Sequence, residues 1–84
     1  MLREINKILF NYDLENLIYD ESQTDEYIVE AKMILDDIIG KEYTVKTLAN
    51  IINKVFKKQF GYDQDIYDTE ILFSVAEDIL ELVD

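Results

Sequence analysis

The sequence predicts a small all-α protein, a four-helix bundle with up-down-up-down connections. Apolar residues recur at three-and-four spacing in four separate stretches, and no stretch alternates apolar and polar residues as a half-buried strand would. The connections are short enough to join antiparallel neighbours. Proline is absent, and the two glycines, Gly40 and Gly61, each follow a helical run, where a left-handed C-terminal glycine belongs.

The first helix is expected from Leu2 to about Asn11, with Leu2, Ile5, Ile8 and Leu9 on one face. A polar, acidic connection follows from Asp13 to Gln23, and its Leu14, Leu17 and Ile18 are expected to fold back on the core. Thr24 is the expected N-cap of the second helix. Asp25 and Glu26 would fill its first turn, where the helix dipole favours carboxylates. That helix carries Tyr27, Ala31, Ile34, Leu35 and Ile38 and stops at Gly40. Thr44 opens the third helix, whose stripe of Leu48, Ile51, Ile52, Val55, Phe56 and Phe60 is the cleanest in the chain and ends at Gly61. The fourth starts between Asp65 and Asp68 and runs to Leu82, with Leu72, Val75, Ala76, Ile79 and Val83 inward. Ile71, Phe73 and Leu82 fall off that stripe, which is expected of a helix covered on several sides or, as the alternative, of one that leaves an apolar edge for another chain.

Eighty-four residues form one domain, residues 1–84, and 49% apolar content suffices for a dense core. Without Cys or His, disulfides, thiolate chemistry and the usual zinc sites are excluded. Met1-Leu2-Arg3-Glu4 leads straight into the first helix with no targeting segment, and no run is long enough to span a membrane, so a cytoplasmic protein is expected.

Nineteen acids oppose eight bases, a net charge of −11, which excludes direct binding to nucleic acid or anionic lipid and favours a basic protein surface. The bland counterpart is solubility alone. Five of the eight bases, Lys41, Lys46, Lys54, Lys57 and Lys58, lie on or beside the third helix, an internal counter-charge to its acidic neighbours. From Gly61 onward there are eight acids and no base.

Asp63 to Asp68 resembles the opening of a calcium loop, but Asp68 and Ser74 stand where Gly and Glu are required. The two serines, Ser22 and Ser74, lack the context that carries phosphopantetheine in acyl carrier proteins. No phosphate loop or nucleophile motif is present, so no catalytic residue, metal or cofactor is assigned.

Four of the six tyrosines are followed directly by aspartate: Tyr12-Asp13, Tyr19-Asp20, Tyr62-Asp63 and Tyr67-Asp68. In an up-down-up-down bundle the first and third connections share one end, which would gather these pairs with Glu21, Asp25, Glu26 and Asp65. Tyrosines supply large, stiff contact area and acids steer a basic partner. The expected binding surface is therefore Tyr19, Asp20, Glu21, Tyr62, Asp63, Asp65, Tyr67 and Asp68. The competing account buries Tyr12 and Tyr27 and uses the aspartates as caps. A second acidic group, Asp36, Asp37, Glu77, Asp78, Glu81 and Asp84, is expected at the opposite end.

Tyr12-Asp13-Leu14, Asp25-Glu26-Tyr27 with Glu30-Ala31, and Leu48-Ala49 through Phe60-Gly61 resemble a small all-helical family of unknown function from bacilli. Its members carry a Trp-Asp-Pro-like box after the first helix and an Asp-Glu-Tyr opening the second. That resemblance implies a fold and no activity. In size, charge and helix count the chain is also similar to acidic four-helix bacterial immunity proteins. The expected function is a non-enzymatic immunity or inhibitor protein that occludes a basic toxin, nuclease or other nucleic-acid enzyme. The alternatives are a structural or regulatory helical module, dimerising through the fourth helix, and an enzyme with a carboxylate-bound metal.

Overall fold

A computed structural model describes residues 1–83. It is a four-helix bundle of α1 (Leu2–Tyr12), α2 (Ile28–Ile38), α3 (Val45–Phe60) and α4 (Thr69–Val83). No strand occurs among the described residues. The Val83 side chain and Asp84, both named above, lie outside the described part.

α1 ends because Asp13 turns left-handed (φ 48°) while its N–H bonds to the Leu9 carbonyl. Aspartate tolerates this conformation better than most residues. Its carboxylate then accepts the N–H groups of Leu17 (2.8 Å) and Ile18 (3.1 Å). The connection is thereby folded back, and Leu14, Leu17 and Ile18 rest partly buried on the core as expected.

The start of α2 differs from expectation. Thr24 is not its N-cap; the helix begins four residues later at Ile28, after Tyr27. Residues 24–27 form turns instead, with the Glu26 N–H on the Gln23 carbonyl and the Ile28 N–H on that of Asp25. The Asn6 amide of α1 holds the Thr24 carbonyl, and the Gln23 side chain ties this segment to Leu17, Tyr19 and Asp20. These ties outcompete one more helical turn. The helix stops at Ile38, with Ile39 extended and Gly40 left-handed (φ 75°) in the turn after it.

α3 follows its sequence closely. Thr44 and Thr47 form a reciprocal capping box at its start, and left-handed Gly61 ends it by donating to the Lys57 carbonyl. Leu48, Ala49, Ile52, Val55 and Phe56 are buried, while Ile51 and Phe60 are half-buried. At the start of α4, Asp68 accepts the Glu70 N–H (2.8 Å) through its side chain and the Leu72 N–H through its carbonyl, the geometry of an N-cap.

Each helix packs on its chain neighbours, and α4 closes the ring against α1. The shortest dimension, 20 Å, is that of two helix layers. Between them lies one core, including Ile5 and Leu9 of α1, Ile34 of α2, Ile52 and Phe56 of α3, and Val75 and Ile79 of α4. Tyr27 is wholly buried in it, against the Phe56 ring at 5.9 Å.

α4 is not covered on several sides. It packs on α3 and α1 alone, which hides only the arc of Leu72, Val75, Ala76 and Ile79. At about 100° per residue, Ile71 and Leu82 fall on one flank of that arc and Phe73 on the other. They are 44%, 37% and 36% exposed. No described helix is long and apolar enough to cross a membrane.

Candidate functional site

The first and third connections meet at one end of the bundle, and Glu15 joins them. One of its carboxylate oxygens accepts the Tyr62 hydroxyl and the other the Tyr67 hydroxyl, each at 2.7 Å. The two rings stand edge to face, 6.1 Å apart, and Tyr67 also meets Phe56 at 5.8 Å. Burial first and then the carboxylate hold the Tyr67 phenol well above its ordinary range, and for Tyr62 the Glu15 bond is the main cause of the same upward shift.

Much of the tyrosine–aspartate pattern serves the fold. Tyr27 donates to Asp13 and accepts the Glu15 N–H (3.1 Å), and burial raises its phenol first, with Asp13 second. Tyr12 is half-buried and donates to Asp78 of α4 (2.8 Å), so its phenol is also raised. Asp20 closes a turn on the Ser22 N–H, which lowers its carboxyl. Asp65 is held low by the Asn53 amide and then by Lys57, whose ammonium lies 2.9 Å away.

The eight expected surface residues are therefore not equivalent. Tyr62 and Tyr67 are brought together, half-buried, with their hydroxyls engaged. Asp63, Asp65 and Asp68 are exposed beside them. Tyr19, Asp20 and Glu21 are exposed on the first connection, Tyr19 at 91%. Among the described residues no hydrogen bond or ion pair links these three to the second group. Glu21 instead edges a groove along α1 beside Arg3 and Lys7.

Between the two connections lies a notch of about 330 Å³, lined by Tyr12, Leu14, Ile66, Tyr67, Asp68 and Ile71 with Asp13 and Asn16. Ile66 and Ile71 had no place in the expected surface: Ile66, inside an acidic connection, carries no periodic signal, and Ile71 reads only as an off-stripe residue of α4. Glu15 was equally invisible, because its role depends on a partner 47 residues away. Glu30 was overlooked as well: it is 5% exposed in the first turn of α2, where the dipole favours it, and accepts from Gln59 at 3.2 Å.

In the second acidic group, Asp36 lies 3.6 Å from Lys32, and Asp36 and Asp37 share a recess with Lys54 and Lys58. Asp36 and Asp37 are thereby partly balanced, whereas Glu77, Asp78 and Glu81 of the same group lie on α4, which carries no base. No three acidic side chains gather into a metal-sized group among the described residues.

Against known protein families, characterised proteins and solved structures, the chain shows no match.

Proposed function

We propose that this domain is a non-enzymatic binding protein that captures and occludes a basic protein, in the manner of an acidic immunity or inhibitor protein. One observation carries the reading. From Gly61 to Ile71 the exposed side chains include Asp63, Asp65, Asp68 and Glu70 together with Ile66 and Ile71, and no base is present. Like charges along one connection repel one another at a distance, and isoleucine in water forgoes burial. Fold stability accounts for Asp65, paired with Lys57, and for Asp68 and Glu70 at the start of α4, but not for Asp63 or for the two isoleucines. A basic partner with apolar contacts would satisfy both, the acids speeding encounter and the isoleucines prolonging the complex. A toxin or nucleic-acid enzyme fits because its own substrate site is basic.

The exposed apolar residues of α4 favour a second reading, a helical module that self-associates through this helix, by the flank of Ile71 and Leu82 or that of Phe73. Glu70, Glu77, Asp78 and Glu81 share that helix without a base, so two copies would face like charge.

Capture from extracts of the source cells at low salt, followed by reconstitution with the purified candidate, tests the proposal. The expected result is a basic protein released by salt, whose activity falls in a one-to-one complex. Retention that ignores salt, or a stable homodimer in sedimentation with no basic partner retained, would refute it.

A further inference from the structure

We propose that the notch between the first connection and the start of α4 seats a single arginine side chain of the basic partner, with Asp68 as its carboxylate. The inference rests on the binding reading above and adds the group that the surface recognises.

The walls are fixed in advance. Tyr12 is anchored through its hydroxyl to Asp78, and Tyr67 through its hydroxyl to Glu15. Little ordering is then needed on binding. Leu14, Ile66 and Ile71 supply aliphatic surface, with Ile66 53% exposed and Ile71 44% exposed. The volume, about 330 Å³, suits one long side chain and not a helix.

Charge selects the occupant. Of the two carboxylates at the notch, Asp13 already accepts three bonds: one oxygen from Leu17 and Tyr27, the other from Ile18. Asp68 uses one oxygen for the Glu70 N–H, and its other oxygen has no hydrogen bond among the described residues. No lysine or arginine lines the notch, although nearby Asp65 already holds Lys57. An arginine lays its aliphatic stem on isoleucine, stacks its planar guanidinium on tyrosine and donates to a carboxylate. Lysine offers a compact, strongly hydrated charge that stacks less well.

The test is a titration of the ¹⁵N-labelled full chain, into the millimolar range, with a short glycine–serine peptide bearing one central arginine. Parallel peptides carry lysine or citrulline, the neutral isostere, at that place. Saturable shifts should centre on the amides of Asn16, Ile66, Asp68 and Ile71. Citrulline and the D68N variant should each weaken binding about tenfold, the loss of one charge-assisted contact. Asparagine also caps helices, so D68N keeps α4 intact, and the same spectrum verifies it. I66S, which leaves every hydrogen bond of the notch in place, should weaken binding as well. Lysine matching arginine, shifts spread evenly over the acidic surface, or D68N binding like the parent would overturn the proposal. If the peptide fails while a basic protein partner is captured, the notch is wrong and the binding reading stands. If the peptide seats as described and no basic protein is retained, the binding reading falls and the notch stands.

Discussion

Replacing Tyr27 by phenylalanine isolates the buried hydroxyl that ties α2 to the end of α1. The ring is wholly buried beside Phe56, and phenylalanine preserves that packing. What disappears is a bond to the Asp13 carboxylate and an acceptor for the Glu15 N–H. Asp13 would keep the Leu17 and Ile18 N–H groups, so its charge stays partly satisfied. The Glu15 N–H has no other partner among the described residues. A hydrogen bond to a charged group contributes about 1.5–3 kcal/mol, and water at the half-buried connection recovers part of it. The expected loss is about 2 kcal/mol, or roughly 8–16 °C in Tm for a domain of this size. Urea denaturation followed by circular dichroism measures it directly, with an unchanged m-value confirming an unchanged unfolded state. In a double-mutant cycle with Asp13→Asn, the coupling should be at least about 1 kcal/mol. A loss below about 0.5 kcal/mol, or no coupling, would show that this hydrogen bond does not hold the connection.

The core of α3 gives a second expectation: Leu48→Ala and Ile52→Ala should each cost about 2–5 kcal/mol and Phe56→Ala about 3–5, since all three are buried. Unchanged melting temperatures would remove α3 from the core. The phenols supply a pH dependence. Tyr12, Tyr27, Tyr62 and Tyr67 are all raised above the ordinary tyrosine value when folded. Their contribution is complete below pH of about 10, where unfolded tyrosine is still protonated, and is lost as pH rises through the folded values. Stability should therefore fall above that pH, and Glu15→Gln should shift the ultraviolet phenolate titration to lower pH; a flat alkaline limb would contradict this.

The fold was legible where local chemistry and burial agree. α3 carries its own start in Thr44, its own stop in Gly61 and an apolar stripe between them, and nothing distant competes. The start of α2 was illegible for the opposite reason. Thr24, Asp25 and Glu26 have the composition of a helix entry, yet Asn6, 18 residues away, takes the Thr24 carbonyl. Local rules cannot report such a pairing. The exposure of α4 was misread because an off-stripe apolar residue has the same appearance whether a third neighbour covers it or water does. At the candidate site, the topology alone brought the first and third connections together. Which tyrosines remained free did not follow, since Glu15 engages Tyr62 and Tyr67 and leaves Tyr19 in solvent.

The central claim, that the acidic connection end captures a basic protein, is tested most directly by association kinetics with the purified partner across ionic strength. The account predicts fast association at low salt that slows steeply as salt rises, as electrostatic steering requires. Asp63→Asn with Asp68→Asn should slow association and flatten its salt dependence, while Asp36→Asn with Asp37→Asn, partly balanced by Lys32, Lys54 and Lys58, should leave it near the parent. Association indifferent to salt, or slowed by the Asp36 and Asp37 pair alone, would contradict the claim.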